Sequence, residues 1–166
     1  MKLERAAHPY RDTHVIDAYA PRFNQLVVGV LSAVAVTTGP WWLLAVLGAQ
    51  LAVGLTFGRR YCIPCVVYYE VVQRLFGEGR LEDSRPPRFA NMVGVAFLAA
   101  ATSAHLSGLA TLGTILGSIV AVLALLAAAT GFCAGCEAFK LGYLLTGREF
   151  VSCPLPPQPI AAQADG

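Results

Sequence analysis

The stretch TLGTILGSIVAVLALLAAATGF, Thr111 to Phe132, carries no charged residue and runs straight into Cys133-Ala134-Gly135-Cys136. A helix rises 1.5 Å per residue, so crossing a hydrocarbon core of about 30 Å takes about 20 apolar residues. This stretch is long enough. Three others come close: Phe23 to Thr38, Pro40 to Phe57 and Asn91 to Leu109. The first is short by that measure, and either begins nearer Ala18 or crosses a thinned region. The turns Thr37-Thr38-Gly39-Pro40 and Ser107-Gly108-Leu109-Ala110 are tight, which pairs the spans as two antiparallel hairpins.

Composition agrees with a bilayer setting. Of 166 residues 56% are hydrophobic and 13% charged, with a mean hydropathy of +0.59. That is too apolar for a soluble domain of this length. The expectation is one four-span membrane domain over residues 1–147, followed by a flexible Pro- and Ala-rich tail, 148–166. About twenty residues carrying Lys2, Glu4, Arg5, Arg11, Asp12 and Asp17 precede the first apolar run, so the start does not read as a signal peptide. The net charge of +2, with basic residues scattered, argues against nucleic acid as a partner.

Charge also sets the expected sidedness. With four spans, the N-terminal segment, the middle segment from Arg59 to Pro87 and the C-terminal tail share one face. All twelve Lys and Arg fall there, and the two hairpin turns carry none. The positive-inside rule places both termini in the cytoplasm of a multi-pass plasma (inner) membrane protein.

The two halves repeat. Each opens with Pro-Arg-Phe and an asparagine (Pro21-Arg22-Phe23-Asn24; Pro87-Arg88-Phe89-Ala90-Asn91), runs through two apolar stretches and closes on C-x-x-C. The copies cover about 18–77 and 87–147. Two spans separate their starts, so both run in the same sense, which predicts a parallel repeat about an axis along the membrane normal. The fold class expected is an all-α four-helix transmembrane bundle. After each C-x-x-C an interfacial helix is expected: Cys62 to Phe76, with Glu70, Gln73, Arg74 and Gly77 on a polar side, and a shorter one from Cys136 to Leu145. Gly77 and Gly147 read as helix stops, and Gly77 to Pro87 as a polar linker.

Cys62, Cys65, Cys133 and Cys136 are the candidate functional residues, at matching depth on the cytoplasmic face. A thiol at a helix N-terminus is favoured as thiolate, and Arg59 and Arg60 push Cys62 the same way, which makes Cys62 the first choice of nucleophile. Three readings compete. One is dithiol/disulfide or sulfur-relay chemistry; Pro64 before Cys65 is like the loop of thioredoxin-type proteins, without their βαβ pattern. The second is a metal site in which the four thiolates hold zinc or an iron–sulfur cluster. The third is plain packing of small, soft side chains. A permanent structural disulfide does not suit a reducing cytosol. Cys153 has no counterpart in the first half and reads as a free tail thiol.

Other residues carry weaker signals. His8 and His14 could reach the thiol face, while His105 reads as solvated at the far interface. Gln50 predicts an interhelical hydrogen bond. Trp41 and Trp42 mark an aromatic belt. Arg22, Arg88, Asn24 and Asn91 read as anchors and helix caps, with framing of the thiol site as the alternative, and Asp17 as an ion-pair partner of Arg22 or of Arg59 and Arg60. Gly54-x-x-x-Gly58 and Gly113-x-x-x-Gly117 predict close packing of spans two and four, which would draw the thiol pairs together. A small permease is a weaker reading, because no ionisable residue sits at mid-depth.

The run Val15-Ile16-Asp17, Pro21-Arg22-Phe23-Asn24-Gln25, two spans, Cys62-x-x-Cys65, two more spans and Gly131-Phe132-Cys133-x-x-Cys136 resembles an uncharacterised family of bacterial four-span membrane proteins, domain of unknown function 4395. The resemblance covers the chain to about Gly147. It implies little about activity, and tilts the reading toward thiol or sulfur chemistry with a soluble thioredoxin-like or sulfurtransferase partner; a homo-oligomer is compatible with it. The layout is also similar to the DoxX-like and quinone-reducing oxidase groups, but those act on exported proteins, and here the outer face exposes almost nothing.

Overall fold

The structure, a computed structural model, describes residues 6–145. Gly147, Cys153 and the tail expected from residue 148 onward lie outside them. In chain order it contains strand β1 (Val15–Asp17), helices α1 (Tyr19–Thr38) and α2 (Trp42–Phe57), a 3-10 turn (Arg59–Tyr61), α3 (Ile63–Val67), a π-helical turn (Tyr68–Val72), α4 (Gln73–Phe76), strand β2 (Leu81–Asp83), and helices α5 (Arg85–Leu106), α6 (Ala110–Thr130) and α7 (Ala134–Leu145).

The four apolar stretches are the four long helices. α1, α5 and α6 are long and apolar enough to cross a membrane; α2, at 16 residues, is apolar but shorter. α1 does begin earlier than Phe23, at Tyr19. α5 begins at Arg85, so Pro86 and Pro87 lie in its first turn, where the missing N–H groups have no helical partner to lose.

α1 packs against α6, α6 against α5, and α5 against α2, with a lighter α1–α2 contact closing the ring. The interior is built of small and medium side chains. Ser32, Ala35, Ala101, Ala104 and Ala121 are buried with Leu44, Leu47, Leu51 and Leu98. The outside is Val34, Val46, Leu112, Ile115, Val122 and Leu126. A soluble bundle puts its large apolar residues inside; small residues within and branched ones without suit helices packing in lipid.

The glycine faces of α2 and α6 do not meet each other as expected. The space over Gly54 is filled by Cys62, and Gly58, at φ 91°, ends α2. Gly113 makes room for the His105 ring and Gly117 for Val36 and Leu44. The close approaches are real but serve other neighbours.

The chain is not wholly helical. β1 and β2 pair antiparallel, Val15 opposite Asp83 and Asp17 opposite Leu81. Part of the expected 77–87 linker is therefore a strand, and the ribbon ties the segment before α1 to the segment before α5. Asp17, 2% exposed, is its lock. Its carboxylate accepts from Gln73 Nε2 (3.0 Å) and from the backbone N–H groups of Gly79 (2.9 Å) and Tyr19 (3.0 Å). These neutral donors, rather than the expected arginines, are its partners, because the strand directs the side chain inward.

The segment after Cys62 is helical, as α3, the π turn and α4, and its expected polar side is split: Arg74 is exposed and pairs with Glu70, while Gln73 turns inward. Gln73 and Tyr69 are buried, each 2% exposed, while Leu75 and Phe76 are 75% and 86% exposed. The π turn inserts an extra residue per turn and turns adjacent Tyr68 and Tyr69 both inward. Gln73 is needed by Asp17, and Leu75 and Phe76 are left on the outside.

Candidate functional site

The first cysteine pair follows a turn built by three contacts. Gly58 releases the chain from α2, Gln50 Nε2 donates to the Tyr61 carbonyl oxygen (3.1 Å), and Cys62 leads into α3 with Pro64 in its first turn. Gln50 thus bonds the turn that follows its own helix, beside the thiols, rather than a neighbouring span as expected. The Arg59 guanidinium donates to the carbonyl oxygens of Pro9 (3.3 Å) and Thr13 (3.0 Å), so it clamps the N-terminal segment over this turn. Burial lowers its pKa from the ordinary arginine value.

Cys62 and Cys65 are joined as a disulfide. Cys62 is 4% exposed and Cys65 half-buried. Cys62 Sγ lies 4.0 Å from Asn24 Oδ1, inside the second turn of α1. They border a cavity of about 270 Å³, also lined by Leu51, Arg59, Arg88 and Asn91. Asn24 and Asn91 are therefore wall residues rather than caps.

The second pair is assembled differently. Gly131 (φ 74°) ends α6, and its missing Cβ leaves room for the Arg22 guanidinium. Cys133 follows in the turn and Cys136 sits in the first turn of α7, which packs along α5 through Phe139 and Phe89, ring centroids 5.5 Å apart. Both thiols are free and half-buried. Gln25 Nε2 donates to Cys133 Sγ at 3.3 Å.

The two thiols differ in acidity. Cys133 is drawn down to about 6, chiefly because the Cys136 thiol donates to its sulfur, with help from the Cys136 and Gly135 N–H groups and the Gln25 amide, against an opposing effect of burial. Cys136 is pushed up, first by donating that hydrogen bond and then by burial. The arrangement is a nucleophilic thiolate beside a thiol that keeps its proton until it is needed.

The preference for Cys62 rested on Arg59 and Arg60. Arg59 is spent on backbone carbonyls, whereas Cys133, with only neutral neighbours in sequence, gains its thiolate character from Cys136, Gln25 and the α7 N-terminus. Gln25 stood in the sequence without a signal beyond its place next to Asn24. His8 faces the Tyr10 ring, and the His14 carbonyl accepts from Ser84, so their described contacts lie in the N-terminal segment and the ribbon. His105 stacks on Trp41, centroids 5.8 Å apart, rather than standing free in solvent. Among the described residues no group of three or more His, Cys, Asp or Glu side chains is placed to hold a metal ion.

Comparison with curated proteins and with solved structures finds no match. A family model described as Domain of unknown function (DUF4395) matches residues 16–143, from β1 to α7 and through both C-x-x-C pairs, and the chain belongs to that family.

Proposed function

We propose that the protein is a membrane-embedded thiol–disulfide component whose Cys133/Cys136 pair exchanges with a soluble thioredoxin-like protein. The observation that carries this reading is the pairing of a free, asymmetric dithiol with a disulfide whose Cys62 is buried, in one bundle. Cys133 thiolate attacks a disulfide of the partner and releases one partner thiolate. Cys136 then gives its proton to that thiolate and attacks Cys133 Sγ, closing Cys133–Cys136 and freeing the second partner sulfur. The partner disulfide becomes a dithiol and the resident dithiol a disulfide. A sulfurtransferase partner would use the same nucleophile on a persulfide sulfur. The four-thiolate metal reading is less favoured, since the described side chains offer it no gathered ligand set.

The membrane placement proposed is four spans in two parallel repeats, α2 crossing as the shortest, with both C-x-x-C pairs on the cytoplasmic face. The placement of all Lys and Arg on one side supports that orientation.

Trapping tests the reading. The Cys136→Ser protein, incubated with an oxidised thioredoxin-like protein, is expected to accumulate a mixed disulfide at Cys133, and Cys133→Ser to accumulate none at Cys136. One tightly held zinc or iron–sulfur cluster per chain after anaerobic purification, lost on Cys→Ser change at any of the four positions, overturns it in favour of the metal site. Labelling of Cys133 in intact cells by a membrane-impermeant thiol reagent overturns the orientation.

A further inference from the structure

Asn24 and Gln25 are consecutive residues of α1, with Cα atoms about 3.8 Å apart. Asn24 Oδ1 lies 4.0 Å from Cys62 Sγ, and Gln25 Nε2 donates to Cys133 Sγ at 3.3 Å. One turn of one helix therefore touches a sulfur of each pair. The cavity at Cys62 and Cys65 and a second one of about 120 Å³ at Cys133 share three wall residues, Asn24, Leu51 and Asn91. The sulfurs are also unequal in direction: Cys62 is the buried member of its pair and faces Asn24, while Cys65 is half-buried.

We propose that the two pairs exchange their disulfide within the chain across this partition, Cys133 attacking Cys62. The step rests on the thiol–disulfide reading above and adds to it an internal partner. The Cys133 thiolate forms a bond to Cys62 Sγ, the Cys62–Cys65 bond breaks, and Cys65 leaves as thiolate. The half-buried Cys65 takes a proton from solvent, and Cys136 gives its proton to solvent and attacks Cys133 Sγ, expelling Cys62 as thiolate. The Cys133–Cys136 disulfide replaces Cys62–Cys65, two electrons have moved from the second pair to the first, and no outside oxidant is consumed. The negative charge moves from Cys133 to Cys62, into the cavity that Arg88 also lines. The open pair thus trades with soluble proteins, and the buried pair, shielded from them, trades with the open pair.

Asn24 is a positioning residue here, and its side chain, with those of Leu51 and Asn91, is what the two sulfurs must pass. The test uses the full chain in membranes with Cys153→Ser throughout. Cys65→Ser/Cys136→Ser, mildly oxidised, is expected to form a Cys62–Cys133 disulfide, read by mass spectrometry of unreduced peptides; Cys65→Ala/Cys136→Ala gives the same result with a second pair of replacements. Cys62→Ser/Cys133→Ser, which leaves Cys65 and Cys136, is expected to form no internal bond. Adding Asn24→Leu is expected to slow formation of the Cys62–Cys133 bond about tenfold or more, as misplacing reacting groups by an ångström does. Equal cross-linking of Cys65 to Cys136 overturns the proposed direction. Absence of the Cys62–Cys133 bond in both double variants, while Cys136→Ser still traps a thioredoxin-like protein at Cys133, overturns the relay and leaves the function standing. Absence of both products overturns the two together.

Discussion

The two C-x-x-C pairs hold equivalent places in the sequence and unequal ones in the structure. Cys62 and Cys65 are covered: the N-terminal segment is clamped over them by Arg59, and the ribbon and the run from Ile63 to Phe76 close the side. Cys133 meets Gln25 of α1 and shares a cavity with residues of α5 and α6, α7 packs along α5, and no described residue of α7 is buried. The same motif is thus given two tasks by what each half adds after it. In the first half the additions remove a sulfur from solvent; in the second they leave both sulfurs within reach and tune their acidity.

Breaking the cover of the first pair has the largest expected effect. Asp17→Ala removes the acceptor for Gln73, Gly79 and Tyr19, stranding the buried Gln73 amide and loosening two part-buried N–H groups. An unsatisfied buried group costs about 1–3 kcal/mol, so the loss at Gln73 alone is expected to weaken the ribbon by about that much and to loosen it. Reduction of Cys62–Cys65 by a soluble dithiol should then speed up markedly while the reactivity of Cys133 stays within about twofold of wild type, as residues without shared partners act independently. If both pairs respond alike, the halves are not separately covered.

The second largest effect concerns the open pair. Cys136→Ala takes away the main donor to Cys133 Sγ and leaves the burial that opposes charge. Alkylation of Cys133 is expected to move to higher pH, toward the ordinary thiol range, and to slow about tenfold at pH 7. The sign is fixed by which form reacts: the thiolate exists above the midpoint, so at pH 7 the native protein reacts fast and the variant slowly. An unchanged pH profile would mean that Cys136 does not donate.

Gln25→Leu acts in the same direction and less strongly, since the amide is one donor among several. A rise of about one unit is expected, the size of a single charge-assisted hydrogen bond. The stability of the bundle should hardly change, because leucine fits the apolar wall beside Val28 and Leu51.

What could be read from the sequence follows from periodicity and punctuation. The four apolar stretches, the breaks at Gly58, Gly77 and Gly131 and the two cysteine pairs are local properties, and the helices and turns stand within a few residues of the expected places. The ribbon could not be read in the same way. Its strands have three residues each, Val15-Ile16-Asp17 and Leu81-Glu82-Asp83, and their pairing spans the first two long helices. Gln73 reads as an outward polar residue because periodicity carries no sign of the buried Asp17 carboxylate that draws it inward. Asn24 and Gln25 look like the polar start of a span in one dimension, and only the packing of α1 between both thiol turns sets them against Cys62 and Cys133.

The smallest effect is expected at Lys140, the one cation near the second pair in sequence. Lys140 Nζ meets Glu137 Oε1 at 2.9 Å, and both side chains are about half exposed, 48% each. Glu137 raises the lysine's pKa, but an ion pair in that setting contributes at most a few tenths of a kcal/mol after solvent screening. Lys140 acts on Cys136 more than on Cys133, since its charge eases the ionisation of Cys136 and is absent from the main influences on Cys133. Lys140→Ala should therefore leave the alkylation midpoint of Cys133 in place and slow only closure of the Cys133–Cys136 disulfide, by less than about threefold. The two rates can be read in one stopped-flow experiment with a disulfide-bearing reagent. If the lysine instead moves the Cys133 midpoint, the acidity of the open pair comes from a surface charge screened by salt. The contrast between the two halves would then depend on ionic strength rather than on how α7 and Gln25 present their donors to one sulfur.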